Sequence, residues 1–176
     1  LEGAKYQIEK RIVADFVIAG EPTNFDIVNK AKGVLWLKIS SQGISAHGAY
    51  PWRGENAIWI MNEFLNTLKK KYPTPRKEKW ITTVNLSKIE TDNQAFNKIP
   101  DDCAIGLDIR YVPGDTDRIL KNIRKILPKR FAVDVIANET ALSTERGNEY
   151  IKILQKTAQQ HLKKNIIIRG AHGPSD

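Results

Sequence analysis

From Cys103 to Val112 the sequence alternates almost without a break. Cys103, Ile105, Leu107, Ile109 and Tyr111 are apolar or aromatic, and Ala104, Gly106, Asp108 and Arg110 between them are small or charged. A period of two over that length requires a β-strand with one face buried and the other open. The buried face needs a partner layer, and the neighbouring sequence supplies one. Val34–Ser41 repeats the pattern, with Leu35, Leu37 and Ile39 alternating with Trp36, Lys38 and Ser40. Asn56–Lys71 switches to helical period: Ala57, Ile58, Met61, Phe64, Leu65 and Leu68 form one stripe, and Pro73 and Pro75 close it. Trp80–Glu90 reads as a further strand. After Cys103–Val112, Pro113-Gly114-Asp115 turns the chain, with Asp115 or Thr116 as the expected N-cap. The helix that follows carries Ile119, Leu120, Ile123, Ile126 and Leu127 and stops at Pro128, and Phe131–Ile136 is the last strand. The order β-α-β-β-α-β specifies an α+β, ferredoxin-like sandwich over residues 30–138.

The segments on either side read differently. Residues 3–10 resemble the end of a helix, and Ala14–Ala19 reads as a short, mostly apolar strand buried on both faces. It stops at Gly20-Glu21-Pro22-Thr23, which puts Glu21 at the carboxyl end of a buried strand, where open α/β sheets place ligands. Beyond the sandwich, Gly147–Lys163 carries Tyr150, Ile151, Leu154, Ala158 and Leu162 on one helical face, and Ile166–Ile168 is a short strand. These pieces are not expected to form a second core of their own. Residues 1–29 and 139–176 are expected to be flanking segments of one larger α/β catalytic domain into which the sandwich is inserted.

Composition narrows the function classes. The 176 residues carry a formal net charge of +8, with the basic residues scattered. The densest groups, Lys69-Lys70-Lys71 and Lys163-Lys164, fall at helix ends, where a cation complements the dipole by about 0.3–1 kcal/mol each. That distribution describes a solvated surface, with neither nucleic acid nor membrane expected as a partner. No run approaches the roughly 18 apolar residues of a membrane span, and the first residues do not form a signal peptide. The single cysteine, Cys103, excludes an internal disulfide and suits a reducing, cytoplasmic compartment.

Four motifs occur in order: Gly20-Glu21-Pro22-Thr23; Gly43-Ile44-Ser45-Ala46-His47-Gly48-Ala49-Tyr50-Pro51 with Gly54-Glu55-Asn56-Ala57; Asn97-Lys98-Ile99-Pro100 followed by Arg110; and Gly173-Pro174-Ser175-Asp176. Together they resemble the zinc metallopeptidase and amidohydrolase family of succinyl-diaminopimelate desuccinylase, acetylornithine deacetylase, aminoacylase and carboxypeptidase G, and the resemblance extends over essentially the whole chain. It implies a homodimer joined through an inserted lid domain and two zinc ions per subunit, with cobalt able to substitute. The implied reaction is metal-dependent hydrolysis of an amide bond in a small anionic N-acyl amino acid (succinyl or acetyl) or short peptide. By the same resemblance Glu21 is a zinc ligand and His47 is the lid histidine that stabilises the oxyanion in the opposite subunit's site. Asn97 and Arg110 bind the substrate carboxylate, and Gly173 and Ser175 belong to the substrate-contacting loop. Pro174 departs from the family's usual Gly-Thr-Ser-Asp and removes a backbone N–H.

The family's remaining metal ligands and its general base have no counterpart between Leu1 and Asp176. One ligand is not a site, so this chain alone is expected to be inactive. Two other readings compete. The sandwich order is shared with RNA-binding domains, but the open face of Cys103–Val112 offers Ala104, Gly106, Asp108 and Arg110 in place of stacking aromatics. The chain is also readable as a non-catalytic dimerisation module, with Trp36 and the other tryptophans feeding an interface.

Overall fold

A computed structural model describes residues 2–173, apart from the side chains of Glu2, Ala4 and Lys5. The elements run α1 (Glu2–Glu9), β1 (Ile27–Ala31), β2 (Gly33–Gln42), β3 (Ala46–His47), α2 (Ala57–Lys71), β4 (Thr83–Glu90), β5 (Lys98–Ile99), β6 (Asp102–Tyr111), α3 (Ile119–Ile126), β7 (Ala132–Glu139), β8 (Leu142–Ser143), α4 (Glu149–Leu162) and β9 (Ile168–Ala171). Short 3-10 turns at Pro51–Arg53 and Pro113–Asp115 precede α2 and α3.

The sandwich is the ferredoxin-like one expected from the alternation. Its four-stranded sheet has the order β4-β6-β2-β7, with every neighbouring pair antiparallel. The two longest strands are central. β2 and β6 pair over their whole length, from Gly33 opposite Tyr111 to Gln42 opposite Asp102. Leu35, Leu37 and Ile39 of β2 and Ile105, Leu107 and Ile109 of β6 lie on the helix side, buried against Ala57, Met61, Phe64 and Leu68 of α2 and Ile119 and Ile123 of α3. Each such side chain contributes about 1.5–3 kcal/mol relative to exposure. Ile60, which lies off the expected stripe, is buried as well.

Local chemistry explains the boundaries. Asn56 caps α2, its Oδ1 accepting from the N–H groups of Ile58 at 2.9 Å and Trp59 at 3.3 Å. Lys69, Lys70 and Lys71 occupy its last turn. The expected caps of α3 do something else: the helix begins after Arg118, because the Thr116 hydroxyl donates back to the Pro113 carbonyl and Asp115 accepts from the Thr82 hydroxyl. A side chain already engaged in closing the turn is not available to the helix. Gly33 is fixed by packing, since a Cβ there would sit 2.2 Å from the buried Tyr111 ring.

The flanking segments differ from expectation. Ala14–Ala19 is not a strand: it lies outside every sheet, with Val17 and Ile18 exposed. An apolar run becomes a buried strand only beside a strand that takes its backbone hydrogen bonds, and none lies alongside it among the described residues. Phe16 instead stacks on Tyr150 of α4 with ring centroids 5.1 Å apart. The strand that does enter the sandwich is β1, which pairs in parallel with β9 and antiparallel with β8 in a three-stranded sheet. Ile151 of α4 and Ile166 are buried there, and Asn29 Nδ2 donates to the Thr144 carbonyl at 2.7 Å. The two flanks therefore meet each other in a small mixed sheet with a few buried residues of its own.

Candidate functional site

The loop carrying His47 is stitched to the segment before β6. Gly43 N–H donates to the Asp101 carbonyl, Ala57 N–H to that of Pro100, and Ile44 and Glu55 exchange both backbone hydrogen bonds. A side chain at Gly43 would strike the Glu55 carbonyl oxygen at 2.0 Å, so only glycine lets these strands of loop close. β3 then pairs with β5, setting His47 opposite Lys98, and Gly48 N–H donates to the Asn97 carbonyl at 2.6 Å. The structure thus brings His47 and Asn97 together, both exposed, at one end of the sheet.

His47 is oriented by its own loop. Its Nδ1 accepts the Ala49 N–H at 3.1 Å, and its ring lies 5.8 Å from Tyr50, which in turn meets Trp52 at 5.7 Å. A nitrogen that accepts a backbone N–H carries no proton, so the neutral ring bears its hydrogen on Nε2. That leaves Nε2–H as a donor without a partner among the described residues, which is the tautomer needed to donate to a developing oxyanion.

Arg110 is elsewhere. It projects from the open face near the far end of β6, eight residues and about 27 Å of strand from Asp102. Its guanidinium grips Asp108 through Nε at 2.8 Å and Nη2 at 3.2 Å, and Trp36 Nε1 donates to the same carboxylate at 2.9 Å. Arg110 and Asn97, expected to share one carboxylate, are therefore not neighbours within a chain.

Beside Arg110, where β1 passes into β2, is a cavity of about 250 Å³ whose lining includes Lys32, Lys77, Glu78, Lys79 and His172. Lys32 is 2% exposed, and burial holds its amine below the usual lysine range. Its Nζ lies 5.7 Å from the centre of the Trp80 ring, with no carboxylate or hydrogen-bond acceptor among the described residues. Trp80 packs on Gly170, where a Cβ would approach to 2.7 Å, and meets the His172 ring edge-on at 5.4 Å. His172 Nε2 is 3.0 Å from Glu78 Oε1. His172, a plain loop residue from the sequence, is thus part of a cavity wall. No periodicity marks Lys32 or Glu78, although a lysine directly before Gly33, at the mouth of a buried strand, is a readable sign; Trp80, read from the sequence as the start of a strand and a possible interface residue, packs into the cavity wall instead.

The remaining expected residues are scattered. Glu21 lies in an exposed loop rather than at a strand end, a correction that follows from the missing strand at 14–19. Among the described residues no group of three or more His, Cys, Asp or Glu side chains is placed to hold a metal ion. These residues do not by themselves compose a zinc site. Gly173 is exposed, with open space where a Cβ would stand, and Ser175 lies outside the described residues.

A four-stranded antiparallel sheet with two helices on one face, entered through β1 and left through the β8 strand that pairs antiparallel with it, defines the class of a ferredoxin-like domain. Residues 29–135 match the peptidase dimerisation domain of the M20 peptidases, and the chain belongs to that family. It is 38% identical over 124 residues to an acetylornithine deacetylase of Pectobacterium carotovorum, covering 66% of this chain and 32% of the relative. It is 24% identical over 203 residues to a probable succinyl-diaminopimelate desuccinylase of Staphylococcus aureus, covering 97% of this chain and 51% of that protein. The aminopeptidase PepT of Bacillus cereus shares the fold over 99% of this chain and 48% of its own, with a TM-score of 0.79 at 19% identity. The chain spans about half the length of the curated relatives it matches.

Proposed function

We propose that the intact protein is a dimeric amidohydrolase that cleaves the amide bond of an N-acyl amino acid or short peptide. Residues 30–138 act as its lid and dimer interface, and residues 1–29 and 139–176 belong to its catalytic domain. The observation that carries this reading is the split site: His47 and Asn97 at one end of the sandwich, Arg110 and the segment leading to Gly173 at the other. Because about 27 Å of strand separates the two groups, a single site using both draws them from two chains. In a two-fold dimer, one subunit's His47 and Asn97 then complete the site holding the other subunit's Arg110, Gly173 and Ser175. The exposed apolar side chains of the flanks, Val13, Val17, Ile18 and Ile153, support their belonging to a larger domain.

Within that site, His47 donates from Nε2 to the oxygen that gains charge as the tetrahedral intermediate forms. Asn97 places the loop beside it, and Arg110 orients the substrate carboxylate. Zinc dependence is a property of the intact enzyme, with Glu21 as one carboxylate ligand. The reading extends to a cytoplasmic enzyme; among the described residues no helix is long and apolar enough to cross a membrane.

Complementation between subunits tests the proposal. In the intact enzyme His47→Ala lowers kcat on the order of 100- to 1,000-fold, the range for losing one oxyanion donor, and Glu21→Ala abolishes activity. Mixing the two variants and allowing exchange restores about a quarter of wild-type activity, because half of the dimers then hold one intact composite site. No recovery despite demonstrated exchange would rule out the two-chain site. Exhaustive dialysis against a chelator removes activity and added zinc returns it; full activity without metal would break the zinc assignment.

A further inference from the structure

We propose that Phe96 is a specificity-determining residue, covering an apolar acyl chain of the substrate beside His47 in the opposite subunit's site. The position of the acyl chain rests on the two-chain hydrolase reading; the placement of Phe96 rests on its own loop. At 109% exposure it is the most exposed large apolar side chain among the described residues. A single exposed ring is ordinary, but this one has company. Ile44, Tyr50 and Trp52, on the loop that carries His47, are exposed as well.

The turn that carries Phe96 is fixed from both sides. Lys98 N–H donates to the Ala95 carbonyl at 3.4 Å, and Asn93 Nδ2 donates to the same oxygen at 2.9 Å. Upstream, the Thr91 hydroxyl donates to the Asp102 carbonyl at 3.0 Å, and Asp92 N–H to Asp102 Oδ2 at 2.9 Å. Downstream, the Asn97 carbonyl accepts the Gly48 N–H, and a Cβ on Gly48 would stand only 3.3 Å from that oxygen. Phe96 is therefore one residue from the backbone contact that sets the His47 loop. Ring and imidazole are carried on one braced unit.

Geometry selects the acyl half of the ligand. In the two-chain site His47 addresses the scissile carbonyl, and the partner's Arg110 holds the carboxylate of the amino acid half. The half left on the side of His47 is the acyl substituent. The loops there offer it rings: Tyr50 lies 5.8 Å from His47, Trp52 lies 5.7 Å from Tyr50, and Phe96 follows across the Gly48–Asn97 contact. The neighbouring cations are engaged, Lys98 by Asp101 at 3.0 Å and Arg53 over the Tyr50 ring at 5.0 Å. Such a surface favours a hydrocarbon chain over the second carboxylate of a succinyl group.

The test is kcat/KM of the intact enzyme on N-acetyl, N-hexanoyl and N-succinyl L-amino acids, compared within each amino acid. A methylene taken fully out of water is worth about fourfold, so the longer chain of hexanoyl, half covered, should gain roughly tenfold over acetyl. Succinyl should fall below hexanoyl. Phe96→Ala should bring the hexanoyl-to-acetyl ratio close to one, and Phe96→Leu should return most of it. Dimers formed by exchange between Phe96→Ala and Glu21→Ala should regain the preference, because their metal-competent site takes its lid from the chain with Phe96. The proposal is overturned if hexanoyl gives no gain, if succinyl is preferred, or if Phe96→Ala lowers all three substrates equally. It is also overturned, alone, if exchange restores His47→Ala but not the hexanoyl preference; failure of both breaks the two-chain reading too. If no amide is cleaved, the hydrolase reading fails and dissociation constants decide this one: hexanoyl should bind roughly tenfold tighter than acetyl. Equal binding, or a difference that survives Phe96→Ala, overturns it.

Discussion

Across the central ladder of the sandwich, Leu35, Leu37 and Ile39 lie beside Ile105, Leu107 and Ile109, none more than 1% exposed. In the leading flank, Val13, Val17 and Ile18 are 90%, 74% and 64% exposed. The residue types are the same and the outcome is opposite. Side chains in the first region have a paired strand on one side and a helix above, whereas those in the second have neither. The comparison teaches that burial here follows from pairing: an apolar run gains nothing until its backbone hydrogen bonds are taken up by a neighbour. It also separates two ways of placing side chains: a doubly hydrogen-bonded loop of the sandwich sets His47 beside Asn97, while the flanks bring Lys32 and His172 to a junction.

The sharpest way to break the comparison is to damage the sandwich core. Phe64, buried and 5.6 Å from the Phe131 ring, should cost about 3–5 kcal/mol on Phe64→Ala, read by chemical denaturation. A cost below about 1 kcal/mol would show a core that refills easily and would erase the distinction.

The flank has its own, weaker anchor. Asn148 Oδ1 accepts from the N–H groups of Tyr150 at 3.0 Å and Ile151 at 3.3 Å, so Asn148→Ala should cost about 1 kcal/mol. Hydrogen exchange should quicken in α4 and leave β2 and β6 unchanged. Equal acceleration in both would mean that the two regions unfold as one unit.

Lys32 supplies a pH-dependent probe of the junction. Burial lowers its folded-state pKa, so over a window below the usual lysine range the unfolded chain binds the proton and the folded chain does not. Stability should therefore rise as the pH climbs through that window, and Lys32→Met should flatten the rise. Melting temperatures measured across the alkaline range decide it; an identical slope in the variant would place the ammonium in water. The smallest effect belongs to Val17→Ser, within about 0.5 kcal/mol of wild type by denaturation. A larger loss would mean that the exposed flank packs against something in solution.

Much of this was legible beforehand. Alternation in Cys103–Tyr111 and the stripe from Ala57 to Leu68 located the sandwich, and the motif around His47 located its loop. The failures have physical causes. Ala14–Ala19 looks like a strand, yet five residues of mixed character, Ile27–Ala31, take that place because β9 lies beside them. Asp115 looks like a helix cap, yet its carboxylate accepts from Thr82, 33 residues earlier. Asn97 and Arg110 looked like a pair, yet the length of β6 sets them apart.

The sequence by itself determined the sandwich, its order of elements, the buried faces of β2 and β6, and the candidate residues His47, Asn97 and Arg110. Period, capping and glycine placement are properties of short stretches, and short stretches carry them whatever the rest of the chain does. Only the tertiary structure decided that β1 joins β9, that His47 stands with Asn97 and apart from Arg110, and that Lys32 is buried beside an open cavity. Those facts depend on residues up to about 140 positions apart meeting in a ladder or a wall, and no local pattern records which distant partner a residue will find.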